Sequence, residues 1–197
     1  MSLTIQVHPA TSERWDDLVT VFGRRGQDPS WCWCQRFLNS ADGEPTPHSS
    51  KPNNRQALQE EINHASVPPG LIAYVDDQPA GWTRVGPRRG FSGVSANRAL
   101  ARVLDEDADT WWVACFAIDS HHRRSGVGSA LLEAAVAFAR DHGAKAVEGH
   151  PVDAAALRGA RVSGAALFTG TRAMFEAAGF SEVARTFPTR PVMRIAV

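Results

Sequence analysis

The chain has 197 residues, 43% hydrophobic and 21% charged, which is apolar material enough for one buried core and about the length of one domain. Twenty-one Lys and Arg balance 21 Asp and Glu, so no net field selects nucleic acid or an anionic membrane, and any anion must be caught by a local arrangement. Three cysteines are too few for a disulfide framework, no apolar run approaches the roughly 20 residues that span a bilayer, and MSLTIQVHPATSERWDD holds no basic or apolar leader; the expectation is a cytoplasmic protein without nucleic-acid or membrane partners.

In chain order, Leu3 to Val7 alternates and reads as an opening strand. TSERWDDLVTVFG reads as a helix capped by Thr11 or Ser12, with Trp15, Leu18, Val19 and Phe22 along one face. From Gly23 to Asn54 the residues Gly, Pro, Ser and Asn break every period, which reads as a long loop. NRQALQEEINHA gives a second helix, stopped by the PPG at Pro68 to Gly70. LIAYV and AGWTRV around DDQP form a hairpin, with Pro79 where a missing donor does little harm. Gly86 to Asp109 is irregular, apart from a helical turn around Arg98 to Leu104.

TWWVACFAI is too short for a buried helix and too apolar for an edge, and reads as a central strand. GSALLEAAVAFARDHG carries the strongest helical signal: Val127, Leu131, Ala134 and Phe138 share a face, and Gly143 stands at the C-terminal stop. KAVEGH follows as a strand, then an Ala/Gly-rich loop through Gly164. TRAMFEAAG is a last helix capped by Thr171 and stopped by Gly179, and FSEVAR and VMRIAV are two closing strands. The order predicts one mixed α/β domain over residues 1–197.

The chemistry centres on HHRRSGVGSALL, His121 to Leu132, between the central strand and the long helix. Amide N–H groups at a helix N-terminus point outward with about half a positive charge, glycines 126 and 128 carry no Cβ to hold an anion away, and Arg123 and Arg124 add charge and forked donors. The alternative is a strand-to-helix turn that only packs. The dinucleotide fingerprint fails because Leu131 stands at its third glycine, and the P-loop fails for want of a lysine.

Arg123, Gly126 and Gly128, in the spacing R-x-x-G-x-G five residues after Ile118, resemble the signature of the GNAT superfamily of N-acetyltransferases. The hairpin LIAYVDDQPAGWTRV lies at the distance that family places one, and MFEAAGF (Met174 to Phe180) resembles its closing L-Y-E-x-x-G-F. Together these stretches cover roughly Gly70 to Phe187. The resemblance implies the GNAT acyl-CoA N-acyltransferase fold, a mixed twisted sheet splayed between its central strands and flanked by helices. It implies acetyl-CoA as co-substrate, no metal, and an acetyl-CoA core of about residues 70–187, with residues 1–69 on the acceptor side. Loop amides of Arg123, Arg124, Ser125, Gly126, Val127, Gly128 and Ser129 would hold the pyrophosphate. Phe116, Ala117 and Ile118 would pair with the pantetheine amides, and an N–H near Ala117 or Ile118 would steady the oxyanion. The acceptor would be a primary amine of a small molecule or protein, and a homodimer is carried as analogy.

Two departures from that pattern bear on catalysis. The strand glutamate often found in the family falls at Trp112 or a neighbour, and the usual tyrosine acid maps onto Phe175 beside the cofactor. A weakly active or inactive acyl-CoA-binding module therefore stands as the alternative function. Period-two alternation makes His150 and Glu148 the candidate catalytic bases, against a packing role. SWCWCQRF reads three ways: a C-x-C metal pair with His48 or His64, an aromatic core loop, or an acceptor wall of Trp31, Trp33 and Phe37 with Arg36 beside it. Cys115 and the sole tyrosine, Tyr74, read as structural.

Overall fold

Seven strands form one sheet in the order β1-β2-β3-β4-β5-β7-β6. A computed structural model describes residues 4–23, 32–35, 37–38, 51–106, 108–157 and 167–197. The elements run β1 (Ile5–Pro9), α1 (Trp15–Gly23), α2 (Lys51–His64), β2 (Gly70–Val75), β3 (Gln78–Pro87), α3 (Ser92–Ser95), α4 (Arg98–Ala101), β4 (Thr110–Ile118), α5 (Val127–Asp141), β5 (Ala146–Gly149), α6 (Arg172–Ala177), β6 (Ser181–Phe187) and β7 (Arg190–Ala196). Only β4 and β5 pair in parallel; every other neighbour is antiparallel. The parallel pair is the one joined through α5, as a crossover requires.

The hairpin turns on Asp76 and Asp77 alone, both left-handed (φ 46° and 63°), the twist a two-residue turn needs. Glycine stops act where the sequence places them: Gly143 and Gly179 have φ of +83° and +87°. Thr171 caps α6 through Oγ1, which accepts from the Met174 N–H at 3.3 Å. Thr11 does not cap its helix. Its hydroxyl instead accepts from Arg14 Nη1 at 3.2 Å, and a 3-10 turn (Ser12–Arg14) precedes α1.

Both faces of the sheet are covered. On one, Leu131, Leu132, Ala135 and Ala139 of α5 meet Leu71, Ala73, Val113 and Val147, with Phe175 at the far end. Gly81 lets α5 come close: a Cβ there would lie 2.8 Å from Val127 Cγ1. On the other face, Trp15, Leu18 and Phe22 of α1 and Leu58 and Ile62 of α2 cover Ile72, Trp82 and Cys115. A separate cluster, Phe91, Val94, Leu100, Trp112, Ala114 and Val192, lies beside it. No described helix is long and apolar enough to cross a membrane.

Two irregularities shape the centre. Arg84 pairs with Cys115 and Val85 with Val113, so Ala114 is an extra residue on β4. The bulge turns both Ala114 and Cys115 away from α5. Next, β4 and β5 pair only over Thr110–Val113 and Ala146–Gly149. Beyond Val113 the two parallel strands have parted, leaving one edge of β4 without a strand neighbour among the described residues.

Candidate functional site

The opening between β4 and β5 lies against the N-terminus of α5. Asp119 N–H bonds back to the Ala80 carbonyl at 2.9 Å. By antiparallel alternation Ala117 then bonds inward to β3, while the amides of Phe116 and Ile118 face the opening. The Phe116 N–H is engaged there by the carbonyl of Phe168, at 2.6 Å. The Phe168 ring stacks on Phe37 with centroids 6.2 Å apart, which brings the expected acceptor-wall residue Phe37 to this opening. Ala117 and Ile118 are half-buried.

The glycine loop ends in a left-handed turn. Arg124 has φ 63° and Gly126 φ 92°, and the first cross-turn bond of α5 runs from Ala130 N–H to the Gly126 carbonyl at 3.0 Å. The amides of residues 124–129 have no acceptor among the described residues, the donor set an anion needs. Arg123 and Arg124 are exposed beside them. Ser125 Oγ donates to the His122 carbonyl (2.5 Å), and the Asp119 carboxylate accepts from His121 N–H (2.9 Å), so side chains fix the bend without filling the amide cradle. The two glycines differ in purpose. Gly126 supplies the positive φ; a Cβ on Gly128 would lie 3.2 Å from both Ile118 Cδ1 and Met174 Sδ, so Gly128 brings the first turn of α5 onto the end of β4 and onto α6. Val127 is buried beneath, and Ser129 is half-buried. These residues fit a pyrophosphate.

The two candidate bases are both occupied. Glu148 is 2% exposed and accepts from Arg88 Nη1 at 2.6 Å and Arg194 Nη1 at 3.3 Å. Burial pushes its carboxyl above the usual range, with Arg88 pulling the other way. His150 stands where the strands part, but Nε2 lies 2.7 Å from Thr186 Oγ1 and Nδ1 lies 3.3 Å from Arg190 Nη2. Burial first, then the Arg190 charge, lower its pKa to about 3. With both nitrogens engaged, the ring's one lone pair already accepts from Arg190, and so low a pKa makes the imidazole a weak base toward an ammonium near neutrality. Alternation along the strand located these side chains; it carried no information on the arginines that meet them.

Other expectations also change. Phe175 is fully buried, edge-to-face with Phe116 (6.4 Å) and Phe180 (4.8 Å); its ring fills the space over Gly149, where a Cβ would come within 2.5 Å. Its role is to pack the base of the opening, not to touch a ligand. Trp33 is 2% exposed and lies against Phe22 (4.8 Å) and Trp15 (6.1 Å), so it belongs to the core beneath α1 and not to an acceptor wall. Trp31 and Arg36 lie outside the described residues. Trp112, 1% exposed, occupies the strand position at which the sequence lacks a glutamate.

The C-x-C stretch folds inward at a cost in backbone strain, Trp33 and Cys34 both having positive φ (29° and 53°). Cys34 Sγ lies 2.7 Å from Cys115 Sγ and accepts from Trp82 Nε1 at 2.6 Å. Burial, with hydrogen bonds to the other two cysteines, pushes its thiol well up. Among the described residues no group of His, Cys, Asp and Glu could hold a metal. Thiol reactivity follows thiolate character and access. Alkylation of the native protein is therefore expected to modify the half-exposed Cys32 first, with Cys34 and Cys115 following only in denaturant, as peptide mass spectrometry would read. Equal rates at all three would contradict this packing.

Comparison with known proteins agrees with the geometry. Residues 31–160 match the sequence profile described as the acetyltransferase (GNAT) family. No curated protein matches significantly. Among solved structures, the GNAT domain of S. lividans PAT is 17% identical and superposes with a TM-score of 0.58, covering 100% of this chain and 95% of that one. The structure of yncA from Salmonella typhimurium with acetyl-CoA is 16% identical (TM-score 0.55; 98% and 93% covered). PaiA N-acetyltransferase from Thermoplasma acidophilum, in complex with coenzyme A, is 11% identical (TM-score 0.54; 98% and 99%).

Proposed function

The chain belongs to the GNAT acetyltransferase family, and from that premise we propose that it is an acetyl-CoA-dependent N-acetyltransferase acting on a primary amine of a small molecule or protein. The observation that carries this reading is the opened edge of β4 lying directly against the free amides of the α5 N-terminus. Residues 124–129, with Arg123 and Arg124, would hold the coenzyme's pyrophosphate. The outward amides of Phe116 and Ile118 would hold its extended arm. The Phe116 amide already bonds a carbonyl there, so a ligand amide would replace the Phe168 oxygen like for like, at little net change. When bound, acetyl-CoA supplies the activated acetyl group.

The proton chemistry follows from what is missing. With Trp112 at the strand position, Glu148 tied to two arginines and His150 engaged at both nitrogens, neither candidate base is free to deprotonate an ammonium. On this reading the amine arrives neutral or loses its proton to solvent. Free-thiol release with acetyl-CoA and a panel of primary amines tests both points. Turnover is expected, with kcat/KM rising about tenfold per pH unit up to the acceptor's own pKa, about 10.4 for a lysine-like amine. The limb should move when the acceptor is changed. A limb fixed at pH 6–7 for every acceptor would reveal an enzymic base, and coenzyme binding without turnover would favour the binding-module alternative suggested by Phe175 and Trp112.

A further inference from the structure

Arg84 is an arginine where the core should be apolar. It stands on β3 opposite Cys115, one residue before the Phe116 whose amide faces the opening. Its neighbour two residues back, Trp82, is fully buried under α1 and α2, and period-two alternation puts Arg84 on that same face. The residue is 3% exposed. Nη2 donates to Glu61 of α2, and the guanidinium lies 6.0 Å from the centre of the Phe91 ring. Nε and Nη1 are buried with no hydrogen-bond partner among the described residues. Arg84 thus separates the two apolar clusters of this face, one under α1 and α2 and the other around Phe91 and Trp112.

Buried N–H donors on a cation are costly when unmet, and in native structures such groups point to something that supplies oxygen. We propose that Arg84 anchors a carboxylate of the acceptor, so that the acceptors are amines whose carbon skeleton also carries a carboxylate, as amino acids do. This rests on the acetyl-transfer reading above and names its substrate class. One observation and two chemical arguments select a carboxylate. The guanidinium already holds one planar carboxylate, from Glu61, through a single nitrogen, with donors left over. A phosphate dianion beside Glu61 would set about three negative charges against one positive. A neutral amide oxygen would satisfy the donors with weaker, uncharged bonds. The Glu61 side chain is 33% exposed and that of Arg84 4%, so the pair meets solvent on the Glu61 side, and the bulge at Ala114 holds Cys115 opposite Arg84 at the level where β4 and β5 have parted.

The test compares kcat/KM, per neutral amine, within matched sets: alanine, alaninamide and ethylamine; then 6-aminohexanoate, its amide and hexylamine. In at least one set the carboxylate is expected to be preferred by on the order of 10- to 100-fold, the worth of a charged hydrogen bond. In Arg84→Met that ratio should fall to about one. Equal rates across both wild-type sets, or a ratio unmoved in Arg84→Met, would overturn the inference and leave acetyl transfer standing. No turnover with any amine would sink acetyl transfer instead; calorimetric binding of alanine or 6-aminohexanoate to the coenzyme-saturated protein, lost in Arg84→Met, would then uphold the anchor alone, and no binding would overturn both. If Arg84→Met does not fold, Glu61→Gln decides. Removing the competing carboxylate should raise the preference, and an unchanged ratio overturns the inference.

Discussion

Gly128→Asp is expected to weaken acetyl-CoA binding by about 100- to 1,000-fold. Two unit charges about 4 Å apart near a protein surface repel by about 4 kcal/mol, less after salt screening, and each 1.4 kcal/mol is tenfold in affinity. Gly128→Ala separates charge from bulk. Its Cβ meets only Ile118 Cδ1 and Met174 Sδ, both at 3.2 Å and both ends of flexible side chains, so the alanine should bind within about tenfold of wild type. Gly126→Ala probes a third property. Its Cβ has room, the nearest atom being Ile5 Cδ1 at 3.6 Å, but φ of +92° costs an L-residue about 1–2 kcal/mol. That loss should appear in thermal stability as well as in binding. Calorimetric titration of acetyl-CoA into the three folded variants reads the series. Wild-type affinity in Gly128→Asp would mean that the coenzyme phosphates do not sit at the α5 N-terminus, and the proposed function would lose its main support.

How much of this was readable in the sequence varies with the range of the forces involved. The α5 helix, its glycine stop, the hairpin and the glycine loop are local patterns, and each lies where the sequence put it. The α2 helix starts at Lys51, three residues before the sequence reading, because Pro52 and two asparagines resemble loop; proline in a first turn lacks only an N–H that would be unbonded anyway. What failed was partnership across the fold. Period two placed Glu148 on a face, but Arg88, 60 residues earlier, decides its chemistry. Trp33 looked like a wall for a ligand because nothing local says that Trp15 and Phe22 will close over it. The signal for Arg84 is local: in AGWTRV a charged residue stands two after an inward tryptophan on a strand.

The same distinction bears on the proposed transfer in a chain with a strand tryptophan, Trp112, where the family often has a glutamate. Its described site offers backbone amides, a helix terminus and a parted strand pair, which orient and polarise without exchanging protons. Orientation of this kind removes much of a bimolecular barrier on its own. The burden then falls on whatever holds β4 and β5 at their fixed separation.

Arg88 is expected to be part of that hold, and Arg88→Met should destabilise the protein by about 3–5 kcal/mol, roughly 6–20 °C in Tm for a chain of this size. Arg88 reaches from the turn after β3 to Glu148 (2.6 Å) and to Asp105 Oδ1 (2.8 Å), while Arg194 of β7 closes the circuit on Glu148 (3.3 Å) and Asp105 Oδ2 (2.8 Å). Glu148 is next to Gly149, the last β5 residue paired with β4 before the strands part. Removing Arg88 leaves a carboxylate at 2% exposure with only the longer of its two partners. Burial already raises the Glu148 pKa against the pull of Arg88, and without that pull it rises further. A carboxyl with a raised folded-state pKa destabilises most above that pKa, where it must be charged, and the deficit shrinks as falling pH protonates it. The stability gap between wild type and Arg88→Met should therefore narrow from pH 8 to pH 5. Adding Glu148→Leu should restore much of the loss, since replacing a buried ion pair by apolar groups is often close to neutral. Denaturant unfolding of the four proteins in the cycle measures this directly. A neutral Arg88→Met, or a gap that widens in acid, would show that the circuit does not carry the fold at the opening.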